Sequence, residues 1–339
     1  MSTVGDPTVA LGQPPWEASY SRRVKSTSAR ALGLLLGYGA DLMLGDPRRG
    51  HPVAGFGRLA AALERRTYRD SRAAGAGHTA VLVIGTVSAG IAAERVAHRS
   101  PIMRVALTAA ATWAVLGGRS LRREANAVAT RLAAGDLPGA RRQITHLVGR
   151  DPATLDQAGI ARACVESVAE NTSDAVVAPL LWGAMAGVPG LLGYRAVNTL
   201  DAMIGHRSPR YARFGWAAAR LDDAANLVPA RLSAALAAGL APTVGGSVRA
   251  ARRAVRRDAG HHPSPNAGPV EAAFAGALGR TLGGVNVYGG TVEDRGTLGD
   301  GPAPGTTDIA RAVRLSAAVG AGALAVAAGW AFSIGPRAR

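Results

Sequence analysis

Residues 175–194 read AVVAPLLWGAMAGVPGLLGY, an uncharged run long enough to be buried in a bilayer or in a protein core. Acidic, basic and amide side chains crowd around this run, where they would be costly unless paired, bound to metal or open to water. These side chains are Glu166, Glu170, Asn171, Asp174, Arg195, Asn198, Asp201, Arg220, Asp222, Asp223 and Asn226. Acids and amides in such a setting indicate a functional site.

The composition favours an all-α fold. Hydrophobic residues make up 48% of the chain and aromatic residues only 4%, so the apolar mass is largely Ala, Leu, Val and Gly. Such residues suit closely packed helices better than a strand-rich core. Gly33 and Gly37 are four positions apart, a spacing that indicates close helix packing.

Several uncharged runs predict a multi-pass integral membrane helical bundle. Residues 315–336 are long enough to cross the hydrocarbon core, and residues 232–248 are a borderline case. Residues 79–93 and 105–118 are expected to form a helical hairpin that turns near Ser100. Each run alone fits a buried helix of a soluble protein, but together they favour membrane spans.

The placement of arginine predicts the orientation. The net charge of +16 comes almost wholly from arginine. Arg-rich segments 48–72 and 119–150 flank the predicted hairpin, whose turn carries only Arg99 and Arg104. By the positive-inside rule both flanks face the cytoplasm, as do the long helical segments that follow. We expect a protein of the cell (inner) membrane with its active face on the cytoplasmic side.

Other sequence features exclude several kinds of site and predict the domain organisation. Few aromatics interleave with the arginines, which disfavours stacking on single-stranded nucleic acid. The single Cys164 excludes a disulfide framework and a Cys-based zinc site. The sequence holds no Walker-type phosphate loop and no His-Glu-x-x-His zinc motif. Residues 1–28 are predicted to be a disordered tail, residues 29–336 a single membrane domain, and residues 261–304 loops with one short helix near 270–282.

Three acids fall on one predicted helix near residues 162–174. Glu166, Glu170 and Asp174 step by four positions, which places them along one face. Like charges at that spacing repel, so a divalent cation, a substrate amine or an arginine should lie opposite them. A solvated face with internal ion pairs is the alternative interpretation.

Further polar groups follow later in the chain. Asn198 lies three positions from both Arg195 and Asp201, so these three share a flank. An arginine at this position can form bidentate hydrogen bonds to a phosphate or a carboxylate. Asp222 and Asp223, with an Asn nearby, offer oxygen atoms of the kind that magnesium accepts.

Six motifs occur in order along the chain. They are DLMLGDPR at 41–48 with HP at 51–52, GRD at 149–151, VESVAENT at 165–172, YRAVNTLD at 194–201, FGW at 214–216 with RLDD at 220–223, and HPSPNAG at 262–268. This ordered set closely resembles the CobD/CbiB family of cobalamin biosynthesis proteins, the membrane-bound adenosylcobinamide-phosphate synthases. The resemblance runs from about residue 31 to about residue 330.

The resemblance implies a multi-pass inner-membrane enzyme. It would join the ring D propionate of adenosylcobyric acid to aminopropanol or aminopropanol phosphate, giving adenosylcobinamide or its phosphate. An ATP-dependent ligation is implied, because a carboxylate does not condense with an amine in water without activation. Magnesium (Mg2+) would accompany the nucleotide.

Roles for individual residues follow from the resemblance together with the chemistry of their side chains. The predicted catalytic residues are Glu166, Glu170 and Asp174. The predicted substrate-binding residues are Asn171, Arg195, Asn198, Asp201, Arg220, Asn226, His262 and Asn266. The predicted metal ligands are Asp41, Asp46, Asp222 and Asp223.

The expected partners are the corrinoid and amino-alcohol substrates and the lipid bilayer, with no nucleic acid, and a homo-oligomer is compatible with the sequence. A transporter of an anionic solute is the alternative, since acids and arginines within a membrane also line transport paths. The polar motifs concentrate in long segments between the spans, which favours an enzyme.

Overall fold

The computed structural model describes residues 15–47, 50–149, 151–206, 208–288 and 291–333. Within these ranges the protein is almost entirely helical, as predicted, with one short β-hairpin. The helices are α1 (Pro15–Leu44), α2 (Pro52–Thr67), α3 (Arg72–Ala97), α4 (Pro101–Val115), α5 (Gly118–Ala133), α6 (Leu137–Ile144), α7 (Gln157–Thr172), α8 (Ala178–Leu200), α9 (Trp216–Gly239), α10 (Val248–Asp258), α11 (Ala267–Leu278) and α12 (Thr306–Ser333). Strands β1 (Leu282–Tyr288) and β2 (Thr291–Leu298) pair antiparallel.

The first helix begins earlier than the sequence suggested. Because α1 starts at Pro15, the predicted boundary at residue 28 falls inside it. The polar stretch before residue 29 lacks an apolar period, but no glycine interrupts it after Pro15 and it contains good helix formers. Residues 1–14 of the predicted tail lie outside the described residues, as do residues 48 and 150 of the motifs and residues 334–336 of the predicted last span.

Four helical segments of the described chain are long and apolar enough to cross a membrane: Arg72–Ala97, Pro101–Ala133, Gln157–Gly205 and Thr306–Ser333. They confirm the predicted hairpin and the predicted last span. Residues 232–248 do not form a span, because α9 ends at Gly239 and Pro242 lies in a single 3₁₀ turn beyond it.

The outer and inner helices of the bundle differ in burial. Only 17% of the apolar window of α3 is buried inside the protein. Its Val81 and Ile84 are 63% and 64% exposed, as expected for side chains that face lipid. In contrast, 72% of the window in residues 157–205 is buried, so this segment forms the centre of the bundle.

Small residues bring α1 and α4 close together. Gly33 packs against Thr108 and Gly37 against Thr112, and a Cβ on either glycine would collide with the threonine. The close packing predicted from the spacing of these two glycines is confirmed.

The central segment folds back on itself. A straight helix of the 49 residues from Gln157 to Gly205 would measure roughly 74 Å, more than twice the thickness of the hydrocarbon core. The bend is at Gly187, whose φ of 66° and ψ of −147° are tolerated only by glycine. Pro189 reinforces the bend, since it lacks a backbone N–H.

Contacts across the bend show that its two arms run antiparallel. Gly183 packs against Leu191, and further from the bend the Tyr194 hydroxyl donates to the Asp174 carbonyl at 3.1 Å. We call residues 157–205 the re-entrant hairpin. The uncharged run at 175–194 is therefore a pair of half-helices that open toward the same end of the bundle, and it is not one straight span.

Two charged side chains satisfy the backbone groups that the bend exposes. Arg30 donates to the carbonyl oxygens of Ala184 at 3.2 Å and Met185 at 3.3 Å. Glu94 accepts a hydrogen bond from the Val188 N–H at 2.9 Å. An irregular backbone at membrane depth is tolerated when such partners are present.

Each arm of the re-entrant hairpin contains a short π-helical segment near its open end. One is Ser173–Val177 and the other is Asp201–Gly205. Insertions of this kind widen a helix by one residue and occur often at functional sites. Each segment carries one of the predicted site acids, Asp174 or Asp201.

A helical body outside the span region ends in the β-hairpin. Helix α11 lies where a short helix was predicted and is buried along its whole length. The prediction of loops for residues 282–298 was wrong. Glycines that were taken as loop signals instead supply positive φ angles within the hairpin, at Gly283, Gly284 and Gly296, where the strand register also shifts.

Candidate functional site

Seven of the predicted site residues line one cleft between the open end of the re-entrant hairpin, α9 and the loop before α11. The cleft has a volume of about 440 Å³. These residues are Glu170, Asp174, Asp201, Asp222, Asp223, Asn226 and Asn266, and Ser173 and Ser264 lie beside them. We call this site the acidic cleft. The serines were not singled out from the sequence, since isolated serines carry no distinctive spacing.

The carboxylates of the acidic cleft lie close enough to influence one another. The Asn198 side-chain nitrogen lies 3.5 Å from an oxygen of Asp174 and 3.5 Å from an oxygen of Asp222. The charges of Glu170, Asp201 and Asp222 all act on Asp174. The described residues that line the cleft include no arginine, lysine or histidine. The cleft therefore attracts cations, including a substrate ammonium or a metal ion.

A hydrogen-bond network fixes two of the acids. The Asn226 amide donates to Asp222 at 2.9 Å and accepts from the Tyr194 hydroxyl at 2.9 Å. Tyr194 also reaches the Asp174 carbonyl, so it ties the two arms of the re-entrant hairpin to α9. Sequence reasoning placed Tyr194 in a motif without giving it a role, because only the bend brings it near Asn226.

Asp222 is held in an environment that disfavours its charge. Burial raises the pKa of Asp222 from 3.8 to about 6, the charges of Asp223 and Glu170 raise it further, and hydrogen bonds from Asn226 and Asn198 oppose the rise. Since the folded-state pKa exceeds that of the unfolded chain, the contribution of Asp222 to stability is fully present below about pH 4 and is lost as the pH rises through about 6.

Asp222→Asn is therefore expected to stabilise the protein at about pH 8, about half as much at about pH 5, and hardly at all below about pH 4. A pKa shift of about two units corresponds to about 3 kcal/mol, or a rise of several degrees in the thermal midpoint. Thermal unfolding in detergent with EDTA measures both values. Asp223→Asn is the matched control, because the Asp223 side chain is 35% exposed. A midpoint for Asp222→Asn at or below that of the wild type at about pH 8 would contradict this account.

The loop before α11 is shaped by His262 and Asn266. The His262 ring accepts a hydrogen bond from the Ser264 N–H at 3.0 Å. Burial lowers the pKa of His262 to about 4, and the charge of Arg295 acts in the same direction, so the ring is neutral at neutral pH. The Asn266 amide donates to the Asp223 carbonyl at 2.8 Å. His262 thus lies outside the acidic cleft and positions the loop that borders it.

Arg195 lies behind the acidic cleft, where it borders an apolar groove of about 490 Å³ lined by Phe56 and Leu192 among others. Its guanidinium donates to Asn198 at 3.4 Å, and the charges of Asp46 and Asp174 both act on it. Its Nε atom is buried and has no hydrogen-bond partner within the described ranges. An incompletely satisfied guanidinium beside the cleft suits a bound carboxylate or phosphate.

Other predicted catalytic and substrate-binding residues lie outside the cleft. Glu166 is buried one helical turn before Glu170 on α7 and accepts a hydrogen bond from the Gly283 N–H at 2.9 Å, so it holds strand β1. The Asn171 amide donates back to the Ser167 carbonyl at 2.9 Å. The Arg220 side chain is 65% exposed.

The four predicted metal ligands do not converge. Asp222 and Asp223 line the acidic cleft, but Asp41 and Asp46 do not. Asp41 is buried and accepts a hydrogen bond at 3.2 Å from a backbone N–H at the start of α5. Asp46 lies 3.7 Å from the His51 ring. The turn after α1 packs against α5, which keeps these two aspartates away from α9.

Among the residues that the structure describes, no set of three or more His, Cys, Asp or Glu side chains could hold a metal ion together. A closed cage of protein ligands is therefore absent from this part of the chain. The pair Asp174 and Asp222, bridged by Asn198, remains compatible with magnesium. That ion is commonly bound through one or two carboxylates, with water and substrate phosphates completing its shell.

The fold and the site together define a membrane protein in which a bent helical segment carries an acidic cleft at its open end. A family model described as CobD/Cbib protein matches residues 34–316. The chain belongs to this family, and the match includes every residue of the acidic cleft.

Curated relatives are similar over most of their length. The chain is 58% identical over 298 residues to the cobalamin biosynthesis protein CobD of Mycobacterium tuberculosis (strain ATCC 25618 / H37Rv), covering 88% of this chain and 95% of the relative. The protein of the same name from Geobacter metallireducens is 47% identical over 267 residues, covering 77% and 83%. The one from Rhodobacter capsulatus is 45% identical over 291 residues, covering 83% and 91%. No solved structure matches the chain.

Proposed function

We propose that this chain is an acid–amine ligase of cobalamin biosynthesis. It joins the ring D propionate of adenosylcobyric acid to the amino group of aminopropanol or aminopropanol phosphate, giving adenosylcobinamide or its phosphate. Membership of the CobD/CbiB family and the names of the relatives support the pathway. The observation that carries the chemistry is a cleft of five carboxylates backed by the incompletely satisfied guanidinium of Arg195.

ATP and magnesium are part of this proposal. Phosphorylation by ATP would turn the propionate oxygen into a leaving group, which amide formation in water requires. Asp174 and Asp222 would hold the magnesium ion, and Asp223 lies beside them at the more exposed rim. Arg195 would bind oxygen atoms of the propionate or of a phosphate.

The amine requires a proton acceptor. As the new C–N bond forms, the nitrogen must lose a proton, and a carboxylate within reach can take it. Glu170 is the best-placed base, because it lines the cleft and its charge acts on both Asp174 and Asp222. Asn198, Asn226 and the loop residue Asn266 would orient the substrates.

Transport of an anionic solute is the weaker alternative. Without a bound magnesium ion, the five carboxylates lining the cleft repel a free anion, whereas they attract the ammonium group of an amino alcohol. The Arg-rich segments around the predicted α3–α4 hairpin favour a cell-membrane protein whose acidic cleft faces the cytoplasm. ATP is available on that side.

The proposal is tested with protein purified in detergent and supplied with ATP, magnesium and adenosylcobyric acid. Aminopropanol and aminopropanol phosphate are offered in parallel, and mass spectrometry detects the amide. We expect product with at least one amine, and none when ATP or magnesium is omitted. No product with either amine would overturn the ligase proposal, and product without ATP would overturn its activation step.

A further inference from the structure

A second polar pocket lies beside the bend of the re-entrant hairpin. Together with the solvent at its mouth it has an open volume of about 390 Å³, and it lies between α1, the end of α3 and the start of α4. Its polar lining residues are Arg30, Glu94, His98, Arg104 and Thr108. About 20 Å of helix separates the bend from Asp174, so this pocket and the acidic cleft are at opposite ends of the hairpin.

The pocket contains a guanidinium group without a full set of partners. The Nε and Nη1 atoms of Arg104 are buried, and neither has a hydrogen-bond partner in the described chain. The other charged groups are already used, since Arg30 bonds the carbonyls of Ala184 and Met185 and Glu94 accepts from the backbone N–H after the bend. Two guanidinium groups and one carboxylate leave the pocket net positive. A bound anion would satisfy the open Arg104 donors.

The surroundings of the pocket are apolar and exposed. Ile91 is 37% exposed and Met103 is 46% exposed. Ile91 is one helical turn from Glu94 on α3 and Met103 is one turn from Leu107 on α4, so both adjoin residues that line the pocket. An anion that also carries hydrocarbon chains would cover them, whereas a small soluble anion would not.

We propose that this pocket binds the phosphodiester group of a membrane phospholipid. Arg104 donates to the phosphate oxygens, the nearby charge of Arg30 attracts them, and the acyl chains lie along the exposed apolar side chains of α3 and α4. The bound lipid would brace the bend of the re-entrant hairpin from the side opposite to the acidic cleft. This site is independent of the ligase reaction.

The experiment compares phosphatidylglycerol binding by native mass spectrometry of the full-length protein in detergent. Arg104→Gln is expected to lower the lipid-bound fraction at least about tenfold, because it removes the open donors. Arg99→Gln removes the same charge from an exposed position in the turn before α4, and it should bind lipid within about twofold of the wild type. Thermal midpoints without added lipid establish that each variant is folded. Arg104→Lys keeps the positive charge but lacks the paired guanidinium donors, so it should show an intermediate loss of bound lipid.

Two further measurements distinguish a phospholipid from other ligands. Diacylglycerol, which lacks the phosphate, should not be retained, and an excess of inorganic phosphate should not displace phosphatidylglycerol. Equal lipid binding by Arg104→Gln and the wild type, or equal retention of diacylglycerol, would overturn the proposal. Displacement by inorganic phosphate would instead assign the pocket to a soluble anion and would also overturn it.

Discussion

Glu170→Gln is expected to lower turnover in the ligase assay at least about 100-fold, since loss of a positioned general base typically costs two to four powers of ten. Glutamine keeps the shape of the side chain but cannot take the proton from the attacking amine. The loss should appear in kcat, with little change in KM for the corrinoid, because the interaction is made in the transition state. Steady-state kinetics with each substrate varied in turn measures both constants.

Glu166→Gln is the matched control for this result. The two glutamates lie four positions apart on α7, but Glu166 contacts the Gly283 N–H and does not line the acidic cleft. We expect Glu166→Gln to keep turnover within about threefold of the wild type, since a glutamine oxygen still accepts from that N–H. Full activity of Glu170→Gln, or a larger loss in Glu166→Gln than in Glu170→Gln, would refute the assignment of the base.

Gly187→Ala is expected to lower the thermal midpoint by roughly 10 °C, the largest stability effect we foresee for a small substitution. The backbone conformation of Gly187 costs a residue with a Cβ about 1–3 kcal/mol. That Cβ would also collide with the carboxylate of Glu94 and displace it from the Val188 N–H. Loss of a charge-assisted hydrogen bond adds about 1.5–3 kcal/mol. Thermal unfolding in detergent checks the sum.

Gly85→Ala provides the comparison for Gly187→Ala. Gly85 lies within α3, and a Cβ added there meets no atom within 4 Å. Alanine is the better helix former, so this variant should be as stable as the wild type or more stable by up to about 1 kcal/mol. If both substitutions shifted the midpoint equally, the bend would not be the special position that its geometry indicates.

Sequence reasoning was most successful where the information is local. The helical class and the packing of Gly33 and Gly37 follow from composition and spacing, and the structure confirms them. Glu170 and Asp174 lie four positions apart and share one face, as predicted, because the π-helical segment begins only at Ser173. Helical periodicity could not distinguish Glu166 from Glu170 and Asp174. The difference is that Glu166 accepts a hydrogen bond from the Gly283 N–H, which is far away in sequence.

The assembly of the site depended on contacts that no local pattern contains. Asn198 reaches Asp174 only because the chain reverses at Gly187, and an uncharged run gives no sign of where it reverses. The same limitation explains why Asp41 was grouped with Asp222 as a metal ligand. Both are acids next to apolar helices, but α1 and α9 place them against different neighbours.

The re-entrant hairpin also determines what the insertion machinery must move during biosynthesis. Because the re-entrant hairpin begins and ends at the same end of the bundle, only its neutral tip around Gly187 would have to enter the bilayer. Asp174 and Asp201 would then not have to be translocated, which avoids about 2.5–3.5 kcal/mol for each acid at the centre of the membrane. Topology reporters fused on either side of residues 157–205 should therefore give the same signal, and the nascent chain can complete its acidic pocket without passing a charge through lipid.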